Sequence, residues 1–568
     1  MRWIFPEALD PTAVAALSRQ LGVPELTASL LMRRGHGDPA VAAAFLDPRL
    51  KSLRDPFLLP AMETAIARVC AAIDRHEKIA LYGDYDVDGV TSIALLCRVL
   101  RASGAEPACF LPHRIDEGYG LSADGLARCL DEHHPRLLIA VDCGTTAVAE
   151  IAMLREKGVD VIVLDHHSAA GSLPDCLALV NPKCGSETDH HLCSAGLAFK
   201  FAHALFKRRP VPGFDLRDLL DLVALGTVAD LVPLIDENRI FVKHGLLRLA
   251  DSRWAGLRAL SEVAGLRPPL NGGHVAFGLG PRLNAAGRLG TALKSLELLL
   301  TDDPAVARSI SQELDEQNRE RRAVEEQVFL EAEEQIAGWF DACRHAAIVA
   351  GSPKWHPGVV GIVASRLVRR HHRPTIVVSF SGEGAGKGSG RSIDGFSLVT
   401  ALNRCDAQLE RHGGHDMAAG VSLMPDRFDH FRDAFLAVAH ESLDAEKLRP
   451  RIHLDAELPL RQVTLPLLSH VENLAPFGSG HRQPIFYARG VSLSAPPRVL
   501  KEKHLSLELH HHGWEARAIW FGSAGDELPS TPWDVAFEIV RNEYLGRVTA
   551  QIHLRAVRAA EPVCSHAD

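Results

Sequence analysis

From about Lys78 to Asn181, short β-rich apolar runs alternate with helical patterns: Ile79 to Tyr82, Ala108 to Leu111, Leu137 to Val141, Val161 to Leu164 and Ala178 to Val180. That rhythm predicts a parallel sheet flanked by helices. Ligands bind such sheets beyond the carboxyl ends of the strands, so the residues directly after each run are where chemistry is expected.

Thr301 to Asp303 followed by Pro304 reads as a helix start, with Asp303 able to cap free amides and Pro304 suited to the first turn. The stretch from Ala305 to about Gly338 is rich in Glu, Gln, Arg and Ala and has no internal Pro or Gly. It predicts a helix of roughly 50 Å that bridges two domains. Apolar heptads are not sustained for enough turns to favour a coiled coil. A second α/β pattern runs from Ala346 to about Leu443 with three Gly-rich stretches, and beyond Arg451 runs such as His504 to Leu509 and Arg547 to Val557 alternate as in a small antiparallel barrel. The fold expected is therefore α/β, with two α/β domains joined by a long helix and followed by a β-barrel. Its expected divisions are a helical segment 1–45, a first domain 46–300, the helix 301–340, a second domain 341–450, the barrel 451–560 and a tail 561–568.

A chain of 568 residues is too long for one core, which agrees with this division. No run approaches the roughly 18 apolar residues of a membrane span, and no signal-peptide pattern opens the sequence. The eleven cysteines are scattered and mostly sit in or beside apolar stretches, as reduced core residues of a cytoplasmic protein do. Cys176, Cys184 and Cys193 fall near His190 and His191, but their wide spacing fits no common zinc pattern. A net charge of −9 excludes a uniformly basic nucleic-acid coat, so phosphate binding would rely on metal ions and local patches. Two such patches exist, Arg366 to Arg373 and Lys207 to Arg209, and a solvated helix end is the plainer reading of each.

Gly83 to Gly89 reads GDYDVDG, which places Asp84, Asp86 and Asp88 directly after an apolar run and before a helical one. Alternate residues of an extended segment face the same way, so these acids can converge. They would repel one another without positive charge between them, and hard divalent cations are the usual solution. The next run ends in Val141-Asp142-Cys143-Gly144 and the following one in Leu164-Asp165-His166-His167. A fourth segment, Val223 to Leu234, carries Asp230 in an otherwise apolar stretch, where a lone carboxylate would be costly. Carboxylates with imidazole and no thiolate cluster suit Mn²⁺ or Mg²⁺. Two such ions about 3.5 to 4 Å apart can hold a phosphoryl oxygen, acidify a water and stabilise the leaving oxygen. Asp189-His190-His191 repeats the Asp-His-His triplet with no strand ahead of it, and is expected to be incidental.

These ordered segments resemble the motifs of the DHH phosphoesterases. The likeness implies Asp86, Asp88, Asp142, His166 and Asp230 as metal ligands, with Asp84 and His167 as ligands or phosphate contacts. Other branches often have a histidine where this chain has Tyr82, which makes Asp84 the substitute expected. HRIDEGYGLS from His113, GPRLNAAGRLG from Gly280, WHPGVVGIVASR from Trp355 and HGGHDMAAG from His412 are similar to segments of the RecJ branch. The second domain looks like a DHHA1 domain, whose GKGSGRS from Gly386 offers amides, hydroxyls and Arg391 to an anion. PFGSGHRQPIF from Pro476 resembles the opening of the RecJ OB-type barrel, with Trp514, Trp520, Arg517, Lys501 and Lys503 as candidate strand contacts. Buried barrel aromatics are an equal reading of the two tryptophans.

The resemblance implies an exonuclease that takes single-stranded DNA from 5′ to 3′ down to mononucleotides in repair and recombination, with two Mn²⁺ or Mg²⁺ ions. It implies a cytoplasmic monomer working with a helicase and a single-strand-binding protein, away from membranes. Arg114, Arg282, Asn284, Arg288, Ser389, Arg391 and His415 are its expected substrate contacts. Alternatives are a nano-RNase acting on very short substrates, which the extra barrel disfavours, and a non-catalytic scaffold like the Cdc45 proteins, which the full acidic set disfavours.

Overall fold

The computed structural model describes residues 1–113, 117, 120–169, 171–185, 191–382, 384–544 and 546–560, without the side chain of Leu289. Arg114, Asp189 and His190 lie outside the described residues. The chain forms two compact units, Leu53–Pro450 and Met1–Ser52 with Arg451–Asp568.

The larger unit opens on a parallel sheet of strands β1 (Ile79–Gly83), β2 (Ala108–Phe110), β3 (Leu137–Val141), β4 (Asp160–Leu164) and β5 (Ala178–Val180), in the order β2-β1-β3-β4-β5. Each is one of the apolar runs read from the sequence. β1 and β3 are buried at every position, because a parallel sheet covered on both faces has no polar side to show. Helix α1 (Val87–Ala102) follows β1 and is buried almost all round, as a central helix is. Helices α2 (Ser194–Arg208) and α3 (Leu220–Ala229) pack against it.

Helix α4 (Gly280–Leu289) then leads towards the 34-residue helix α5 (Pro304–Ala337), whose N-cap Asp303 accepts from the amides of Ala305 and Val306. α5 packs along α4 at its start and against β6 (Ile348–Ser352) and α6 (Val360–His371) at its end. The second sheet adds β7 (Thr375–Ser379), β8 (Gly386–Arg391), β9 (Arg411–Gly414) and β10 (Ala418–Leu423), in the order β9-β10-β8-β7-β6. Only β6 and β7 run parallel.

In the smaller unit, strands Phe486–Leu493, His504–His511, Trp514–Trp520, Arg547–Ala559 and Trp533–Tyr544 pair in a closed circuit. Five strands closing in that order form an OB-type barrel. The amino-terminal residues are part of this unit: Arg2–Ile4 pairs in parallel with Arg451–His453, and Leu17, Leu30, Leu31 and Phe45 share a core with Phe486, Leu507 and Phe537. The opening segment, read from the sequence as helical, thus also supplies a strand.

Most residues of the two basic patches pair with acids of the fold, largely at the surface. Lys207, Arg208 and Arg209 pair with Asp55, Glu63 and Asp74, while Arg366 reaches Glu325 and Glu326, and Arg370 and His371 reach Glu333. Arg373 is buried and donates to the carbonyls of Ala342, His345, His372 and Leu448. No single described helix is long and apolar enough to cross a membrane.

Candidate metal centre

The acidic loop after β1 is fixed by the helix it starts. Asp86 caps α1, its Oδ1 accepting from the amides of Asp88 (2.9 Å) and Gly89 (3.1 Å). A Cβ on Gly89 would sit 2.4 Å from the carbonyl oxygen of Asp84, so the loop closes this tightly only over glycine. Asp88, one residue into the helix, turns inward to the start of α2, where the amides of Ser194 and Ala195 donate to its two oxygens at 2.7 and 2.9 Å. The N-terminal turn of a helix favours such an anion.

Asp142 follows β3 with φ of +62°, a left-handed conformation that costs a non-glycine residue about 1–2 kcal/mol. Backbone strain of this kind persists where the surroundings over-determine it, characteristically at functional sites. Ser194 Oγ donates to Asp142 Oδ1 at 2.9 Å, tying β3 to α2. Asp230 caps the carboxyl end of α3. That helix crosses α1 and α2 at Gly226, where a Cβ would lie 2.6 Å from Asp88 Oδ1 and 2.6 Å from the Ala195 methyl. The glycine lets Asp230, one turn later, come in beside Asp88.

Three ligand groups result: Asp84, Asp86 and Asp142; Asp88, His166 and Asp230; and Asp142, His166 and His167. His166 Nε2 lies 3.3 Å from Asp142, 3.5 Å from Asp230 and 3.9 Å from Asp88, each measured to a carboxylate oxygen. Neither that nitrogen nor the buried Oδ2 of Asp230 makes a hydrogen bond. Buried polar atoms left so are expensive unless they bind something, and lone pairs from carboxylates and imidazole facing a common point fit Mn²⁺ or Mg²⁺. Asp142 belongs to ligand groups on both sides, as a carboxylate shared by two ions would.

The electrostatics agree with that fit. Burial, then the charge of Asp86, pushes Asp88 up to about 7, and burial, then Asp88, pushes Asp230 up to about 9. Asp142 is driven well above the usual carboxylate range by burial and by the acids around it. Burial also holds His166 down to about 3, which keeps it neutral and able to ligate. These carboxyls are ordinary acids near 4 in the unfolded chain, so the metal-free folded protein binds more protons than the unfolded one. The stability these carboxyls contribute is therefore expected to fall as pH rises through about 7 to 9, above the range below 6.5 in which the neutral His166 works in the opposite sense, and Mn²⁺ should offset the fall. Thermal melts in chelator and in Mn²⁺ check this, with metal-free Asp88→Asn as control: its melting temperature should fall less steeply with pH than that of the wild type. Parallel slopes would contradict the assignment.

His167 lies beside His166 at the same centre, their ring centroids 4.5 Å apart. Its Nδ1–H donates to Asp165 Oδ1 at 2.8 Å, and the same oxygen accepts from the amides of His166 and His167. Burial opposes the charge on His167, yet the Asp165 carboxylate raises it above its ordinary value. Asp165 Oδ2 accepts from the Thr145 amide, and Asn181 Nδ2 donates to Thr145 Oγ1 and to the His167 carbonyl, each at 2.9 Å. Asp165, Thr145, Asn181 and Ser194 are thus positioning residues that the sequence motifs did not single out for a role. Tyr82 is a core residue, stacked on Phe110 with its hydroxyl on the Gly120 carbonyl, so β1 sends no ligand from that position.

The expected substrate contacts divide. Arg282 turns its guanidinium to Asp315 and the Gly278 carbonyl, clamping α4 to α5. Asn284 is half-buried on α4 and His415 is exposed between β9 and β10. Arg288, at the end of α4, donates to the Gly358 carbonyl at 3.1 Å. Ser389 and Arg391 share one face of β8, and a Cβ on Gly361, in the first turn of α6, would lie 3.0 Å from Ser389 Oγ and 3.2 Å from an Arg391 nitrogen. Arg288, Ser389 and Arg391 thus gather around the start of α6. On the barrel Trp514 is 52 % exposed, while Trp520 is half-buried.

Family models match the DHH family N-terminal domain at residues 78–227, the DHHA1 domain at 345–441 and the RecJ OB domain at 454–556. The single-stranded-DNA-specific exonuclease RecJ of Bacillus subtilis is 35 % identical over 99 % of this chain and 71 % of its own length. That of Escherichia coli is 35 % identical over 92 % of this chain and 94 % of its own. The crystal structure of RecJ from Thermus thermophilus in complex with Mn²⁺ superposes with a TM-score of 0.85 at 32 % identity, covering 99 % of this chain and 80 % of that one. The corresponding Mg²⁺ complex gives 0.80 at 30 % identity, covering 99 % and 79 %.

Proposed function

The chain belongs to the RecJ family of single-stranded-DNA-specific exonucleases, and we propose that it hydrolyses single-stranded DNA from the 5′ end to mononucleotides at the centre built from Asp84, Asp86, Asp88, Asp142, His166 and Asp230. The observation that carries this reading is the shared position of Asp142 between two ligand groups. When bound, two Mn²⁺ or Mg²⁺ ions supply charge neutralisation for the phosphodiester and acidity for the attacking water. The chain's own residues do the rest. Ser194 and Ala195 hold Asp88, the strained backbone aims Asp142, and Asp165 orients His167 so that Nε2 is presented to the phosphate. Arg288, Ser389 and Arg391 at the start of α6 form the pocket for the terminal phosphate, supported by the positive end of that helix.

The reading extends to the remaining expectations: a monomer in a reducing cytoplasm, acting in repair and recombination beside a helicase and a single-strand-binding protein, with domain limits near residues 46, 301, 341 and 451. Its buried free thiols suit a reducing compartment. A length series of labelled strands tests the activity. Degradation of long single strands supports it, and cleavage of dinucleotides alone, or of nothing, overturns it.

The barrel unit supplies grip on long strands, with Trp514 and the exposed Lys501, Lys503 and Arg517 as its contacts. Because residues 1–52 share the barrel's core, deleting 451–568 alone strips apolar helix faces and should give an aggregating protein. Deleting both segments should leave a soluble, Mn²⁺-binding fragment of residues 53–450 with weaker, more salt-sensitive affinity for long strands. Size-exclusion chromatography and strand-binding titrations check both halves; unchanged affinity would remove the barrel from strand binding.

A further inference from the structure

The metal centre is closed on most sides: the side chains of Asp88, Asp142 and His166 are at most 8 % exposed, whereas Asp230 is 23 % and His167 33 % exposed. Asp230 thus lies on the open side of the centre, where substrate can approach. The next residue, Leu231, is 67 % exposed and held at φ of +60°. Across from it, a Cβ on Gly280 would lie 3.8 Å from the Ala229 methyl, so the residues ahead of Gly280 border the same end of α3. Those residues, Val275–Leu279, form a π-helical turn packed on α3. Val275 and Leu279 are fully buried and anchor the turn, while Phe277 between them is 74 % exposed, the most exposed large apolar side chain among the described residues. A π-helical turn is rare, is commonly found at functional sites, and changes where its side chains point. Two backbone irregularities thus present apolar side chains to solvent at the end of α3 that carries the partly open ligand Asp230.

We propose that Phe277 and Leu231, both exposed at the same end of α3, form an apolar rim on which the nucleobase next to the scissile phosphate stacks. The inference rests on the reading of the metal centre as the site of single-strand hydrolysis. A phosphate held at that centre brings a base with it, and a flat uncharged ring accepts any base because every base has a π-face. A duplex keeps its bases stacked on each other, so the rim rewards single strands without reading sequence.

The test compares steady-state digestion, in Mn²⁺, of a 5′-phosphorylated single strand and of the same strand with abasic residues at its first positions, by wild type, Phe277→Ala and Phe277→Trp. Phe277→Ala should raise KM for the base-bearing strand by roughly 10- to 100-fold, the range for one base on an aromatic ring. It should change KM for the abasic strand little and leave Mn²⁺ affinity unchanged, and Phe277→Trp should restore the wild-type value. Equal losses on both strands, a parallel loss of Mn²⁺ affinity, or no loss would each overturn the rim. An active wild type with any of those results leaves the nuclease reading standing; a wild type inactive on both strands overturns the two together.

Discussion

Replacing Asp142 by asparagine is expected to lower hydrolysis of single strands at least about 1,000-fold, or about 4 kcal/mol of transition-state stabilisation, while leaving the fold intact. Asparagine keeps the size of the side chain and one oxygen for Ser194 Oγ, so the tie between β3 and α2 survives. What it loses is a negative charge at the residue common, among the described residues, to the Asp84–Asp86 group and the His166–His167 group. Two ligand groups would be weakened by one change. The metal-free variant should also melt higher than metal-free wild type above pH 7, because like charges no longer crowd a buried site. Single-turnover assays in Mn²⁺ and melts in chelator measure both effects. A variant that keeps a tenth of the activity, or melts lower, would contradict the shared-ligand assignment.

The second large effect concerns the strand end. Arg391→Lys is expected to weaken use of 5′-phosphorylated strands by roughly 10- to 150-fold, the loss of about 1.5–3 kcal/mol that accompanies charge-assisted hydrogen bonds. Arg391 is braced by Ser389 Oγ (2.8 Å) and the Gly390 carbonyl (2.7 Å), both bonded to the same guanidinium nitrogen. That bracing orients the planar fork towards the start of α6, where Gly361 leaves room for an anion that a larger residue would fill. Lysine keeps the charge but has neither the fork nor the bracing geometry. Strands ending in a 5′ hydroxyl carry less terminal charge and should lose less. Equal loss on both substrates would place Arg391 at the scissile phosphate or in the fold; no loss on either would remove this loop as the anchor.

The parallel sheet was legible because each strand is a continuous apolar run, and because such strands end at ligand-type residues the acids and His166 could be read together. The pattern fails where function comes from crossings between distant elements. Ser194 sits at an ordinary helix start, and its hold on Asp142 exists only because α2 meets the end of β3. Asp165 was visible as part of a triplet, but its role as the orienter of His167 needs the strand-end geometry that brings Thr145 and Asn181 alongside. For Arg282 and the two basic patches the sequence displays the charge but not the acids that pair with it. Asp315 lies 33 residues from Arg282 and Asp74 lies 135 residues from Arg209. The pairing of Arg2–Ile4 with Arg451–His453 is the extreme case, a contact across nearly the whole chain that no local pattern encodes.

The most direct measurement is digestion of one single strand labelled at either its 5′ or its 3′ end, in Mn²⁺, in Mg²⁺ and in chelator, with and without duplex competitor. A two-ion centre with an anchored 5′ end predicts that the 5′ label appears at once as mononucleotide, that the 3′ label stays on progressively shorter strands, and that chelator stops both while duplex does not compete. Internal cuts that release mixed fragments, hydrolysis in chelator, or equal digestion of duplex would contradict a metal-dependent exonuclease centred on Asp142.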